Sequence, residues 1–424
     1  MGNLDYTQVL NKIENTRRFG NEPGVVVTAQ VIKVLREKGK QKRIIPYIHV
    51  AGTNGKGSVC AFFSSIIKKE HIRVGTFVSP HLVDFEERIT VDGRMIPKED
   101  VTRLGNYLLD IDFGIGLTMF DYCLAMALLY FEEQQCDYMV IETGLGGRLD
   151  STNAIGTPQC AIITKIGYDH MAILGSDIAD IAAEKAGIIK ENGTVVVEQQ
   201  DKRAMQVIEQ EAKKKHARII TVEQSDIARC SSYALRLCGT FQWENAAAAE
   251  LAARYVLGKR YSGPEYEMQY DKTGSKSEKT DLNDRIKSAL EEAVWPGRME
   301  IVSKEPFLLV DGAHNSNGVD ALKESLMQMY PGEKFCFFMG VMADKDYDVM
   351  IREILPLAEE FYTVTPDSDR ALQASHLADF IRKEGVEATE LSGVDEIRRH
   401  LKRDTKNVAF GSLYFIGELK QHRI

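Results

Sequence analysis

A glycine-rich turn between a strand-like run and a helix-like run holds the residues with the clearest chemical potential. Within YIHVAGTNGKGSVCAFFSSIIKK, residues 47–69, the turn contains Gly52, Gly55, Lys56, Gly57 and Ser58. Glycines allow backbone N–H groups to approach an anion, and the N-terminus of the following helix favours negative charge. A lysine adds positive charge for terminal phosphates, and a serine at the helix start reaches the accompanying magnesium ion. These are the residue types of a phosphate-binding loop.

The spacing within this turn departs from the general phosphate-loop pattern. That pattern requires glycine, four residues, and then Gly-Lys followed directly by serine or threonine. Here Val50 stands at the first glycine position, and Gly57 separates Lys56 from Ser58. The residues by themselves leave two interpretations open, which are a phosphate-binding loop and a glycine-rich turn that binds no ligand.

Polar side chains end three other strand-like runs. Ser79 ends RVGTFVS, Glu142 lies in YMVIETG, and Asp169 and His170 follow CAIITKIG. Oxygen and imidazole groups at neighbouring strand ends, beside a phosphate loop, predict a magnesium site that substrate phosphates complete. Each residue also has a structural interpretation, in which Ser79 caps a turn, Glu142 pairs with Arg148, and His170 caps a helix.

The elements that must position these side chains alternate between strand and helix, after a first helix expected over 6–18. Runs such as MVIE and AIIT are apolar throughout, which is typical of parallel strands buried on both faces. Ligands of such sheets bind beyond the carboxyl ends of the strands. We predict an α/β fold: a doubly wound, mostly parallel sheet in a P-loop ATPase domain, followed by a smaller Rossmann-like α/β domain.

A second series of strand-like runs begins after WPGR, residues 295–298, and includes FLLVDGA, KFCFFMGVM, EFYTVTP and NVAFGS. We therefore predict one domain over 1–296 and a second over 297–424. The second series lacks a glycine-rich dinucleotide fingerprint, so no nicotinamide cofactor is predicted. The polar, aperiodic run 259–284 is predicted to be a mobile surface segment or linker.

Composition limits the partners and the location that we expect. The chain has 424 residues and a net charge of −9, which argues against nucleic acid as a partner. No run is apolar and long enough to span a bilayer, and no secretory signal segment is recognised at the start, so we expect no membrane association. Seven scattered cysteines without a CxxC pair predict reduced thiols in the cytoplasm, and no zinc site.

Eight ordered motifs relate the chain to a known family. They are HVAGTNGKGS, FVSPHL, ERI, IETGLGGRLDSTN, GYDHM, EKAGIIK, WPGRME and DGAHN. Over essentially its whole length the chain resembles the folylpolyglutamate synthases, within the wider family of ATP-dependent Mur ligases. The loop with the extra Gly57 is that family's own version, so the resemblance favours phosphate binding.

The resemblance implies roles for the residues at matching positions. ATP would be bound by Thr53, Asn54, Gly55, Lys56, Gly57, Ser58 and Asn245, and by Arg298 and Asp311 from the second domain. Magnesium would be bound by Ser79, Glu142, His170 and Lys185, with Lys185 carried as a carbamate. The folate side would include His81, Arg88, Phe120, Arg148, Asp150 and Ser151. Lys56, Lys185 and His314 would be catalytic, with His314 near the transferring phosphate.

Some positions leave alternatives open. An alternative interpretation of Lys185 is a surface lysine paired with Glu184. Phe241 stands where the family usually has histidine, and Asp121 stands where glutamate is usual. These departures lie near the nucleotide and the pterin substrate respectively.

The implied activity is ATP-dependent addition of L-glutamate to the carboxylate of a folate (tetrahydrofolate polyglutamylation), through an acyl phosphate. The implied enzyme is a cytoplasmic monomer that uses Mg²⁺ and small-molecule substrates, with the second domain providing glutamate and nucleotide contacts. One alternative is dihydrofolate synthase, alone or as a bifunctional enzyme. A peptidoglycan Mur ligase is a second, which GLGGRLDSTN and SPHL argue against. A nucleotide switch that does not ligate is a third.

Overall fold

In the computed structural model, the residues described are 3–17, 20–261 and 276–422. They divide into two units. The first comprises the described parts of Met1–His81, Phe85–Ala234 and Glu244–Ala293, and the second those of Leu82–Asp84, Leu235–Trp243 and Val294–Ile424. The position of the domain boundary at 296/297 stays a prediction.

The first unit is built on a sheet whose strands are β1 (Tyr47–Ala51), β2 (Val74–Phe77), β3 (Ile89–Val91), β4 (Arg94–Met95), β5 (Tyr138–Glu142), β6 (Cys160–Ile163), β7 (Thr194–Val197) and β8 (Arg218–Thr221). Their order is β4-β3-β2-β5-β1-β6-β7-β8. Neighbours from β2 to β8 run parallel, and β3 and β4 extend one edge in antiparallel pairing. Every residue of β1, β5 and β6 is buried, as their apolar sequences predict.

The helices of the first unit cover this sheet. They span Tyr6–Glu14, Gly24–Glu37, Lys56–Lys69, Lys98–Leu109, Met119–Glu133, Met171–Leu174, Ile178–Ala186, Lys202–Lys214, Gln224–Ser231, Phe241–Tyr261 (whose first turn belongs to the second unit) and Lys276–Glu292, with 3₁₀ turns at Phe85–Arg88 and Ser151–Ala154. The first helix ends at Glu14, before the expected residue 18. One apolar core lies under the helices at 24–37 and 119–133, and another under those at 178–186 and 202–214.

The predicted linker over 259–284 is wrong where the structure describes it. Residues 259–261 end one helix and residues 276–284 begin the next, while 262–275 lie outside the described residues. The helix Lys276–Glu292 packs on the phosphate-loop helix, where Ser65 Oγ donates to the Ala289 carbonyl at 2.6 Å. Its apolar positions, Ile286 and Leu290 among them, begin only near its middle, so the polar first half resembles a linker.

The second unit has strands β9 (Glu300–Lys304), β10 (Phe307–Val310), β11 (Phe335–Met339), β12 (Ala358–Thr363), β13 (Ala388–Glu390) and β14 (Lys406–Phe410). Their order is β13-β12-β11-β14-β10-β9, parallel except for β9. Helices span Ser316–Met329, Tyr347–Ile354, Ala374–Lys383, Ile397–His400 and Leu413–Gln421, with 3₁₀ turns at Leu355–Leu357 and Val394–Glu396. Apolar cores lie on both faces, so the two-unit α/β fold class predicted from the sequence is confirmed.

The strand order of the first unit places its polar strand ends together. β1 lies between β5 and β6, and the chain from β1 crosses to β2 on the β5 side, whereas β6 continues to β7 on the other side. Ligands of doubly wound sheets bind beyond the carboxyl ends of strands at such a point. Within the described residues, every helix is too short or too polar to cross a lipid bilayer.

Candidate active site

The loop after β1 requires glycine at two positions. Gly52 has φ +156° and Gly55 has φ +91°, a backbone conformation that other residues rarely adopt. A Cβ on Gly52 would clash with the Thr164 hydroxyl, and a Cβ on Gly55 would clash with the Asn245 side chain. Gly55 is the N-cap of the helix Lys56–Lys69 and has no side chain to cap it, so the helix start presents backbone N–H groups as anion-binding loops do.

The end of β6 holds this loop in place. The backbone N–H groups of Thr53 and Asn54 donate to the Lys165 carbonyl at 2.9 and 3.2 Å. The Thr164 hydroxyl donates to the Asn54 carbonyl at 2.6 Å, and Thr53 Oγ1 lies 3.0 Å from both the N and the O of Gly167. Sequence reasoning missed Thr164, although it is a polar residue that ends an apolar strand-like run, the signal that identified Glu142.

Two lysines converge on one carbonyl of the loop. Lys56 Nζ donates to the Gly52 and Thr53 carbonyls at 3.2 Å each, and Lys185 Nζ donates to the Gly52 carbonyl at 2.8 Å. Lys185 is only 4% exposed, so the alternative of a surface lysine paired with Glu184 is wrong. Burial, together with the positive charge of Lys56, lowers the pKa of Lys185 to about 7.

Glu142 connects the loop with the end of β2. Its carboxylate is buried; Oε2 accepts a hydrogen bond from the Ser79 N–H at 3.2 Å, and Oε1 lies 3.9 Å from Lys56 Nζ. The alternative partner, Arg148, pairs instead with Glu184 at 3.6 Å. The structure thus brings Ser79, Glu142 and Lys56 together beyond β2, β5 and β1, and an anionic oxygen there is a ligand type that magnesium prefers.

His170 lies beyond the end of β6. Its φ is +52°, and it is the N-cap residue of Met171–Leu174 without a side-chain cap bond, so capping by its ring is not observed. The ring Nε2 lies 3.9 Å from an Asp169 carboxylate oxygen, and the His170 side chain is 38% exposed. In the described ranges, no three His, Cys, Asp or Glu side chains form a metal-binding cluster. The role of His170 as a magnesium ligand stays a prediction.

The loop after β5 carries three of the predicted folate-side residues and is fixed by buried carboxylates. Asp150 accepts the Leu145 N–H at 2.8 Å, and Asp121 accepts the Ser151 hydroxyl at 2.6 Å. Asp121 also accepts the Thr118 N–H at 2.8 Å in a capping box that starts the helix Met119–Glu133. The Asp121 departure from the family pattern therefore joins this helix to the loop.

A buried histidine that the sequence analysis did not select lies beneath the same loop. His49, inside β1, has Nε2 at 2.7 Å from the Thr152 hydroxyl oxygen, and that hydroxyl donates to Asp150. Burial, with the charge of Lys190, lowers the pKa of His49 to about 3, so the ring is neutral at physiological pH. His49 could have been selected from the sequence, because it is a polar residue within the apolar run YIHV.

The remaining folate-side predictions fall into three places. Arg88 Nε donates to His81 Nδ1 at 2.8 Å, and the Arg88 side chain is buried. Phe120 packs edge-on against Phe77 with ring centres 5.5 Å apart. Arg148 is half-exposed and donates to the carbonyl of residue 183 at 3.0 Å. Their folate roles stay predictions.

In the second unit, Asp311 and His314 follow β10, and Arg298, which precedes β9, lies beside them. Asp311 is buried and accepts two backbone N–H groups at 2.8 and 2.7 Å. Burial raises the pKa of Asp311, and the charge of Arg298 opposes that shift. His314 Nδ1 lies 2.8 Å from the Gly312 carbonyl oxygen, and a Cβ on Gly312 would lie 3.2 Å from an Arg298 nitrogen. Phe241, which stands where the family usually has histidine, packs against the core of this unit.

Two family models match the chain. The Mur ligase middle domain matches residues 50–253, and the Mur ligase glutamate ligase domain matches residues 297–409. A dihydrofolate synthase/folylpolyglutamate synthase of Bacillus subtilis is 32% identical over 98% of this chain and 98% of its own length.

Solved structures agree with these matches over almost the whole chain. A Mycobacterium tuberculosis folylpolyglutamate synthase complexed with ADP superposes with a TM-score of 0.83 and 25% identity, covering 99% of this chain and 98% of that one. E. coli FolC in complex with DHPP and ADP gives a TM-score of 0.80 and 26% identity, covering 99% and 97%. The family and the ligase class predicted from the sequence are confirmed. The chain belongs to the folylpolyglutamate synthase family of ATP-dependent Mur ligases.

Proposed function

We propose that this protein is an ATP-dependent ligase that adds L-glutamate to the carboxylate of a folate through an acyl-phosphate intermediate. The observation that carries the proposal is the loop after β1, where Lys56, Lys185 and Glu142 surround a glycine-rich turn. This arrangement occurs in a chain that matches a dihydrofolate synthase/folylpolyglutamate synthase over 98% of both lengths.

The reaction must activate a carboxylate, because its oxygen is a poor leaving group at neutral pH. A carboxylate oxygen of the folate attacks the γ-phosphorus of ATP, the bond from that phosphorus to the bridging oxygen breaks, and ADP leaves. The α-amino nitrogen of glutamate then attacks the acyl carbon, the amine loses a proton, and inorganic phosphate leaves. Positioning and charge neutralisation are the protein's main contributions to such phosphoryl transfer, so no nucleophilic side chain is required.

The residues of the first unit supply most of the proposed phosphate contacts. The backbone and side chains of residues 53–58 would hold the phosphates, with Lys56 as their counter-charge and Asn245 as a nucleotide contact. Ser79, Glu142, His170 and Lys185 would hold magnesium, which when bound supplies positive charge beside the phosphates. In the second unit, Arg298 and Asp311 are the proposed nucleotide contacts, and His314 is the proposed contact of the transferring phosphate.

Lys185 is suited to the carbamate that the family resemblance implies. A lysine must lose its proton before its nitrogen attacks carbon dioxide, and an ordinary lysine with a pKa near 10.4 is neutral in fewer than about one molecule in a thousand at pH 7. With a pKa of about 7, roughly half of the Lys185 side chains are neutral at that pH. A carbamate would replace a cation with an anionic oxygen ligand for a metal ion.

Dihydrofolate synthase activity, alone or in a bifunctional enzyme, is the second candidate. The name of the Bacillus subtilis relative includes both activities. The two reactions share the ATP chemistry and differ in the carboxylate that is activated, which belongs to dihydropteroate in one case and to a folate in the other. The proposed phosphate site serves both.

Phosphate release from ATP tests the proposal and separates the candidates. The assay contains L-glutamate and either dihydropteroate or tetrahydrofolate, with Lys56→Ala as the inactive control. Release that requires both glutamate and tetrahydrofolate supports folylpolyglutamate synthesis, and release with dihydropteroate adds the second activity. Nucleotide hydrolysis that depends on neither glutamate nor the pterin substrate would instead indicate a nucleotide switch.

We further propose a cytoplasmic, monomeric enzyme with small-molecule substrates and domains over 1–296 and 297–424. The net charge of −9 and the seven free thiols support the partner and location assignments. The start of the matched glutamate ligase domain at residue 297 supports the boundary. Sedimentation of the purified protein tests the oligomeric state.

A further inference from the structure

The three residues after β7, Glu198-Gln199-Gln200, contact the segment that follows β6. Glu198 Oε2 accepts the Lys165 N–H at 2.7 Å. Gln200 Oε1 accepts the Ile166 N–H at 2.9 Å, and Gln200 Nε2 donates to the Thr164 carbonyl at 3.0 Å. Two side chains therefore fix the backbone of residues 164–166 through three hydrogen bonds, and neither residue has a role in the proposed chemistry.

This backbone segment is the one that holds the phosphate loop. The Lys165 carbonyl accepts the N–H groups of both Thr53 and Asn54, and the Thr164 hydroxyl donates to the Asn54 carbonyl. A continuous chain of hydrogen bonds thus runs from Glu198, through the backbone of Lys165, to the loop. A shift of residues 164–166 would move the groups that set the position of residues 53 and 54.

A second carboxylate ties the residues after β7 to the nucleotide side of the site. Glu244 accepts the Gln199 N–H at 2.6 Å, and Lys165 Nζ donates to the Gln199 carbonyl at 2.8 Å. Glu244 directly precedes Asn245, whose side chain lies against Gly55. The segment 198–200 therefore contacts both elements that flank the loop.

The Glu198 carboxyl lies in a buried environment that disfavours its charged form. Its side chain is 1% exposed, and burial together with the charge of Glu244 raises its pKa well above the usual range. Among the described residues, its second oxygen, Oε1, has no hydrogen-bond partner. Burying a polar atom without a hydrogen-bond partner lowers the stability of the folded protein. Packing alone is therefore a poor explanation for a carboxyl group at this position.

We propose that Glu198 and Gln200 are positioning residues for the phosphate loop, which fix residues 164–166 and thereby set the affinity for the nucleotide phosphates. The inference rests on the proposed function only in taking the loop after β1 as the nucleotide phosphate site. A purely structural role makes a different prediction, since it would lower the stability of the protein without changing the nucleotide affinity of the folded molecules.

Calorimetric titration with ADP on purified full-length variants tests the proposal. We expect Glu198→Ala to weaken ADP binding about tenfold and Gln200→Ala about threefold, because a misplaced loop N–H loses part of a hydrogen bond to phosphate. Glu198→Gln retains an oxygen that accepts the Lys165 N–H, so we expect an affinity within about twofold of the parent protein. Gln199→Ala is the matched control, because its side chain accepts from Gln224 rather than from the loop support.

Glu198→Ala and Gln200→Ala should also raise the KM for ATP and leave the KM for glutamate unchanged. Wild-type ADP affinity in folded Glu198→Ala, or equal losses in Glu198→Ala and Gln199→Ala, would overturn the proposal. If Glu198→Ala does not fold, Gln200→Ala decides by the same criterion. ADP titration needs no folate, so a chain that shows this ranking but ligates nothing would refute the proposed function and leave the positioning role supported. A parent protein that does not bind ADP would overturn both.

Discussion

Replacement of Lys185 by methionine should remove a large pH dependence from the stability of the protein. Burial lowers the pKa of Lys185 from 10.5 to about 7, so between these values the unfolded chain binds more protons than the folded one. Stability contributed by this group therefore rises with pH in that window. Lys185→Met keeps an unbranched side chain of similar length and removes the titrating amine.

The size of the effect follows from the two pKa values. By proton linkage, Lys185 lowers the free energy of unfolding by about 4 kcal/mol at pH 7 and by about 2 kcal/mol at pH 9. The parent protein should therefore gain about 2 kcal/mol relative to Lys185→Met between these two pH values. The lost hydrogen bond to the Gly52 carbonyl affects the variant equally at both pH values, so it cancels in this difference.

Urea denaturation at pH 7 and pH 9, in buffers freed of carbon dioxide, measures this difference. Lys213→Met is the control, because Lys213 lies exposed on the helix Lys202–Lys214. A parent protein and a Lys185→Met variant with parallel pH profiles would show that the Lys185 amine titrates as an exposed lysine does. The physical basis for its carbamylation would then be lost.

Three further variants test individual roles. Lys56→Ala should lower kcat about a hundredfold or more, because it removes a charge contact to the phosphates; more than a tenth of the parent turnover in a protein with an unchanged circular dichroism spectrum would refute that role. Arg298→Ala should weaken ATP use about tenfold in kcat/KM for ATP, as expected for one charge-assisted contact, and unchanged ATP kinetics would remove Arg298 from the nucleotide site. Lys185→Ala should lose nearly all ligase activity and regain part of it with added short carboxylic acids, whereas full activity without them would exclude the carbamate.

The sequence predicted the fold well where local pattern carries the information. Uninterrupted apolar runs such as MVIE and AIIT correspond to strands buried on both faces, because helices cover both sides of the sheet. The short strands β3 and β4 at one side of the sheet were not anticipated, and β4 in particular is a two-residue exposed strand with little apolar pattern. The polar start of the helix Lys276–Glu292 resembled a linker for the same reason.

The site shows the same division between local and long-range information. The burial of Lys185 could be predicted from the sequence, because Lys185 shares one helix face, at helical spacing, with apolar residues. In the structure all four residues of that face are buried: Ile178, Ile181, Ala182 and Lys185. The contact partners of Glu142 could not be predicted from the sequence. Glu142 contacts Ser79 and Lys56 rather than the nearby Arg148, because strand order brings distant segments together, and no local pattern encodes that order.

Oxygen transfer from substrate to product tests the central claim most directly. The folate substrate is prepared with ¹⁸O at both oxygens of the carboxylate that receives glutamate, and the phosphate released during ligation is analysed by mass spectrometry. An acyl-phosphate route predicts one ¹⁸O atom in each phosphate, because the carboxylate oxygen that attacks ATP leaves with the phosphorus. Phosphate without ¹⁸O, formed at the same rate as the ligated product, would contradict carboxylate activation and with it the proposed function.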